Sequence, residues 1–230
     1  MSAPEDAAAV PPIPAATVVL VRDAPAGLET LMLHRNSKLA FGGMWVFPGG
    51  RVDPEDGAGA RDEQEAARRA AVREAFEEAG LRCDPPSLVP FSHWVPPPIA
   101  PKRYATWFFI APAPTGAVTV DGGEIHDSAW MRPSDALARR DEGEIELAPP
   151  TWMTLRQLAE DADVAAAVAA ARQREPTFYA THMGRSTHGM VAMWAGDAGY
   201  ESGDADAPGP RHRLHIGAGA WELERTLHDA

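Results

Sequence analysis

The chain has a single cysteine, Cys83, in 230 residues. That excludes an internal disulfide and any zinc site built on several thiolates. Positive charge is also scarce: 21 Lys and Arg stand against 33 Asp and Glu, for a net charge of -12. A surface of that sign repels a phosphate backbone, so nucleic acid is excluded as a broad-surface partner. Small anions are not excluded, because a bound cation can reverse the local field. Long apolar runs are missing, so no membrane span is expected. The first residues carry Glu5 and Asp6 without a basic cluster, so no secretory signal is expected either. These absences together predict a cytoplasmic protein.

What is present is an ordinary globular balance, 45% hydrophobic and 23% charged. The length suits one large domain, alone or with extensions. Residues 1–15, rich in Pro and Ala, read as a mobile tail. Thr17 to Asp23 and Glu29 to Arg35 read as two strands joined by a Pro/Gly turn. Met44 to Gly50 reads as a short strand that stops at Pro48-Gly49-Gly50. Residues 51–59 look like loop. From Arg61 or Asp62 to Ala79 no Pro or Gly interrupts a run of Ala, Glu, Gln and Arg, which predicts a helix stopped by Gly80. Arg103 to Ala111 and Ser128 to Met131 read as strands around a turn at Asp121 to Gly123, and Ser134 is placed as the cap of a short helix. Helices are expected over 152–160 and 164–174. Beyond Pro176, short β-like runs flank a polar loop at 197–210. The organisation expected is a main domain at 16–148, a helical segment at 149–175 and a β-rich extension at 176–230.

The long helix carries the chemistry. Glu74, Glu77 and Glu78 sit at i, i+3 and i+4, within a sector of about 100°. Val72, Ala75, Phe76 and Ala79 are assigned to the opposite side, where they would pack on a sheet. Three like charges on one face repel. A hard cation such as Mg²⁺ would relieve that repulsion and bridge to a substrate phosphate. The plain alternative is a solvated acidic face.

Gly59, Glu65, Arg73, Glu74, Ala75, Glu77, Glu78, Gly80 and Leu81 fit a spaced pattern: Gly, five residues, Glu, seven residues, then Arg-Glu-apolar-any-Glu-Glu-any-Gly-apolar. That pattern resembles the signature of the Nudix hydrolases. There the leading Gly usually belongs to a Pro-Gly-Gly turn, and here that turn is Pro48-Gly49-Gly50. From Gly50 to Glu65 there are 14 intervening residues instead of five. Residues 51–59 therefore read as an insertion, and Gly59 matches by position more than by role.

The resemblance implies an α/β/α sandwich with a mixed central sheet, here followed by a helical and β-rich C-terminal extension. It implies metal-dependent hydrolysis of a diphosphate that links a nucleoside to another group. Glu74, Glu77 and Glu78 would hold Mg²⁺ or Mn²⁺, Arg73 would orient a catalytic carboxylate, and Glu65 would brace the network. Glu124 is a candidate to complete the site or to serve as base, a role open also to Glu74 and Glu78. Lys102 and Arg103 are candidates to meet phosphate charge, and Trp94 or Tyr104 to stack on a base. The stretch from Leu33 to Asp53, the inserted loop and PKRYATWFFIA are similar to the coenzyme A diphosphatase branch related to the peroxisomal mammalian enzyme. That implies CoA or acyl-CoA as substrate. The alternatives are ADP-ribose, NADH, a damaged nucleotide, or a non-catalytic sensor on the same fold. Partners are a small nucleotide-type substrate and, through the β-rich tail, a homodimer. The tail histidines, His182, His188, His212 and His215, have weak spacing for a metal.

Overall fold

The computed structural model describes residues 11–36, 42–98, 100, 102–120, 122–187, 189–217 and 219–226. Residues 1–10, Asp121 and His188 therefore lie outside the description. In chain order the strands and helices begin with β1 (Ile13–Ala24), β2 (Gly27–Arg35), β3 (Trp45–Val46) and β4 (Gly49–Arg51). A one-turn helix α1 (Pro54–Gly57) and the long α2 (Glu63–Ala79) follow, then β5 (Val89–Val95), β6 (Tyr104–Pro112) and β7 (Ile125–Met131). Three helices come next, α3 (Pro133–Asp141), α4 (Pro149–Leu158) and α5 (Val164–Arg172), then β8 (Thr177–Ala180). The last four strands are β9 (His182–Ser186), β10 (Gly189–Met193), β11 (His212–Ile216) and β12 (Glu222–Arg225).

The expected mixed α/β fold is present. The central sheet runs β3-β2-β1-β6-β5-β8, with β4 also on β1 and β7 also on β2. β1 pairs parallel to β6, β5 parallel to β8, and the other pairs are antiparallel. Alternation along β1 explains the layers. Ala16, Val18 and Leu20 meet the alanines of α2 on one face. Val19 and Val21 face the other core, with Trp152, Leu155 and Leu158 of α4. The strands β9 to β12 form a separate antiparallel sheet, ordered β12-β11-β10-β9.

Several local expectations change. β1 begins at Ile13, inside the segment expected to be a tail. β3 stops at Val46, short of the Pro-Gly-Gly turn, and the two glycines are themselves strand. After Pro48 the chain restarts as β4 and pairs with Ala15 to Thr17 of β1. Only glycine fits at position 49, because a Cβ there would strike the backbone of Ala16 and Thr17. The insertion contains α1, started by Pro54. α3 is capped at Arg132 with Pro133 in its first turn, so Ser134 is not the cap. Proline's fixed φ suits that first turn, and α4 likewise begins at Pro149, earlier than the expected 152.

The main correction concerns α2. Asp62 caps it by accepting from the Glu65 backbone N–H, and Gly80 closes it at φ 70°. Its buried face is Ala67, Ala70, Ala71, Ala75 and Ala79, and Glu78 lies among them at 4% exposure. Phe76, expected against the sheet, is 43% exposed, with the Arg82 guanidinium 4.0 Å above its ring. At about 100° per residue Phe76 points about 180° from Ala67, whereas Glu74 and Glu78 fall within the alanine stripe. Glu74 and Glu78 face inward, Glu77 stays exposed at the edge of that face, and the phenylalanine faces out.

Candidate active site

The inward acids meet the strands. The Gly49 backbone N–H donates to Glu78 Oε2 at 2.9 Å. A Cβ on Gly50 would collide with the Glu74 carboxylate. Gly50 thus gives the close approach, while Gly59 at φ 67° has open space around it. The insertion therefore leaves the pairing of turn and helix intact.

Arg73 knits the acids together. Its Nη1 donates to Glu74 Oε1 at 2.9 Å and Glu77 Oε2 at 2.8 Å. Its Nη2 donates to Arg51 O at 2.9 Å and to the buried Asp56 at 3.0 Å. Sequence reasoning missed Asp56, which lies in the segment taken for loop. It also missed Arg35 at the end of β2. Arg35 donates to Glu124 Oε2 at 2.8 Å and lies 3.9 Å from Glu78 Oε1. No spacing relation to the helix marks either residue.

Glu78 is electrostatically strained. Burial pushes its carboxyl up to about 8; the Gly49 N–H and Arg35 oppose the rise, and Glu74 and Glu124 add to it. Burial likewise raises Glu74, against the pull of Arg73. Glu65 is elsewhere: it accepts from Arg61 and Arg69, whose hydrogen bonds hold it down at about 2. Arg69 in turn holds the Ala58 carbonyl at 2.8 Å, so Glu65 ties α2 to the inserted loop and does not touch Arg73's acids.

A cavity of about 680 Å³ opens beside Glu74, Glu77, Arg73, Arg35 and Glu124. Arg35, Gly50, Arg73, Glu74, Glu77 and Glu124 line one part of it. Of the sequence candidates for substrate contact, Lys102, Trp94 and Tyr104 line it, and Arg103 does not; Arg103 donates to Pro96 O at 3.1 Å. Trp94 is buried and stacked on Tyr179 at 3.9 Å, so its face is not offered to a base.

Among the described residues no three acidic, histidine or cysteine side chains converge as a ready metal cage. Glu74 and Glu77 turn instead toward Arg73. The donor set nonetheless suits a hard divalent cation: it is all carboxylate oxygen, Glu78 is buried beside like charge, and glycine keeps the approach open. His182, His212 and His215 point to separate partners, Tyr200 O, Ala195 O and Glu224. No described helix is long and apolar enough to cross a membrane.

No curated protein is significantly similar to the chain in sequence. Among solved structures, a NUDIX hydrolase from Alicyclobacillus acidocaldarius superposes with a TM-score of 0.63 at 24% identity, covering 70% of this chain and 96% of that one. The NUDIX domain of Shewanella oneidensis NrtR, complexed with ADP ribose, gives 0.51 at 18%, covering 66% and 88%. A MutT NUDIX hydrolase from Burkholderia pseudomallei gives 0.50 at 21%, covering 64% and 98%. These likenesses are of fold. The NUDIX domain family itself matches residues 11–173, most of the chain. With that match and its signature helix set against the glycine turn, the chain belongs to the NUDIX domain family, whose hydrolases cleave phosphoanhydride bonds and generally use divalent metal ions.

Proposed function

We propose that the protein hydrolyses a diphosphate joining a nucleoside to another group, with Glu74, Glu77 and Glu78 as the carboxylates that hold Mg²⁺ or Mn²⁺. The observation that carries this reading is Glu78. A carboxylate 4% exposed, with Glu74 and Glu124 as neighbours, is costly until a cation joins it. When bound, the ion neutralises phosphate oxygens and acidifies a water.

The chain's own residues do the rest. Gly49 fixes Glu78, and Arg73, itself anchored by Asp56, fixes Glu74 and Glu77. Positioning of this kind supplies much of a phosphoryl-transfer barrier reduction. The proton of the attacking water goes to a carboxylate, drawn from Glu74, Glu78 and Glu124. Glu124 is 57% exposed and held by Arg35, so it sits where water has access. Lys102 supplies a cation on the cavity wall for the phosphates. CoA or acyl-CoA is the favoured substrate. ADP-ribose is the second reading, motivated by the ligand of the Shewanella domain.

The test is turnover of CoA, acetyl-CoA, ADP-ribose, NADH and nucleoside triphosphates with Mg²⁺ or Mn²⁺, beside Glu78→Gln. The expected result is one substrate class cleaved by the wild type and not by the variant. Adenosine 3',5'-bisphosphate among the products identifies CoA. Tight metal binding without turnover of any substrate would overturn the hydrolase reading in favour of a sensor.

A further inference from the structure

The cavity extends away from the carboxylates, and part of its wall comes from residues beyond the 11–173 match: Thr181, Met183 and Ala192. Met183 on β9 and Ala192 on β10 are direct cross-strand partners, so they share one face. The opposite face has its own cluster of Val191, Met193 and Ala205. The sheet is seated on the main body by aromatic contacts. Trp194 lies 5.7 Å edge-on to Trp94 and 5.4 Å from Tyr179, and its indole N–H donates to Thr181.

The lining of this part offers little to a flat ring. Among the described residues, four aromatic side chains border the cavity: Phe47, Trp94, Tyr104 and Phe108. Trp94 is stacked on Tyr179, and Phe47 and Phe108 are buried edge-to-face against each other at 6.3 Å. Tyr104 carries the Lys102 ammonium 5.5 Å from its ring centre. Much of the remaining wall is aliphatic, with Met183, Ala192, Val95 and the prolines at 96, 97, 149 and 150, interrupted by Thr106, Thr151 and Thr181. A thioether and pyrrolidine rings pack against methylenes.

We infer that the C-terminal sheet is a specificity wall, and that Met183 and Ala192 receive an aliphatic arm on the non-nucleoside side of the substrate diphosphate. The inference rests on the diphosphatase reading above, but its test can fail separately. Binding of CoA, octanoyl-CoA and ADP-ribose is measured by calorimetry in EDTA, where no turnover occurs. Turnover of each with Mn²⁺ is measured in parallel, for wild type and Met183→Trp. Octanoyl-CoA is expected to bind about tenfold more tightly than CoA, since each buried methylene favours binding. Met183→Trp is expected to erase that preference, with ADP-ribose binding changed less than about twofold.

No octanoyl preference in the wild type overturns the inference. So does an equal loss of ADP-ribose binding in the variant, which would put the nucleoside in this arm. A preference erased in the variant, with no turnover of any substrate, sustains the wall and overturns the hydrolase reading. If the tryptophan variant fails to fold, Met183→Ala takes its place. It is expected to cut octanoyl-CoA affinity by about threefold, and an unchanged affinity overturns the inference.

Discussion

Two buried carboxylates, one on α2 and one beside the C-terminal sheet, have opposite fates. Asp197, in the loop after β10, is buried and forms a two-pronged pair with Arg213 at 2.6 and 2.7 Å. The backbone N–H groups of Gly199 and His212 also donate to it. Although burial alone would raise its carboxyl, those bonds hold it down at about 2. Glu78 has one N–H and an arginine at 3.9 Å, and is pushed up to about 8. Both side chains are shielded from solvent, but Glu78 is the more deeply embedded and the less satisfied. A fully paired acid is architecture, whereas an underpaired buried acid beside other acids marks a place that awaits charge.

The largest break in this comparison is Arg213→Ala. It leaves Asp197 buried without its partner, which costs about 3–5 kcal/mol. Urea unfolding is expected to show this loss, and Asp197→Ala in the same chain should recover part of it. Glu78→Gln removes no such partner and is expected to leave the metal-free protein as stable or more so at pH 8.

Next comes the pH dependence, where the two acids act in opposite windows. Glu78 is raised, so its folded form holds a proton that the unfolded chain releases near 4.5. Its contribution is present below pH 4.5 and is lost as pH rises toward 8, by a few kcal/mol at most. Asp197 is lowered, so its contribution is present above 3.8 and is lost as pH falls toward 2. In EDTA, melting temperature is expected to fall from pH 5 to pH 8, and Glu78→Gln to flatten that limb while leaving the acid limb unchanged. Mn²⁺ at pH 8 is expected to restore the loss in the wild type. A flat wild-type limb would mean that Glu78 is already paired.

Asp56→Asn is smaller again. It keeps the acceptor for Asp53 N–H but removes the charge that anchors Arg73. Such supporting groups typically matter by about 10–100-fold in activity. kcat is expected to fall in that range with the melting temperature nearly constant, and Asp56→Glu to recover part of it. The residue also shows where the sequence stopped being legible. The signature helix, the β1-β2 hairpin and strands β10 and β11 follow from local periodicity and turn chemistry, whereas β12 and the split of 178–183 between β8 and β9 do not. Arg73–Asp56 and Arg35–Glu124 do not, because they join positions 17 and 89 residues apart and depend on how strands are ordered. The restart at Gly49 is hidden for the same reason: it is a pairing with β1, not a property of the glycines.

The smallest expected effect tests the two sides of α2. Spacing places Glu74, Glu77 and Glu78 together but does not say whether that group faces the sheet or the solvent. The usual rule that aromatics go inward pointed the wrong way. Alanine is what allows the inversion: with Ala67, Ala70, Ala71 and Ala75 all fully buried, the helix approaches β1 closely and carries its carboxylates under the glycine turn. A phenylalanine in that stripe would hold the helix off and pull the acids from Gly49 and Gly50. Phe76→Ser on the outer face is therefore expected to change stability by less than about 0.5 kcal/mol, its one ring contact among the described residues being Arg82. Ala71→Phe, five residues earlier, is expected to cost about 1–3 kcal/mol and to lower metal affinity as well. Equal, small effects of the two substitutions on urea unfolding and Mn²⁺ binding would contradict this orientation of the helix.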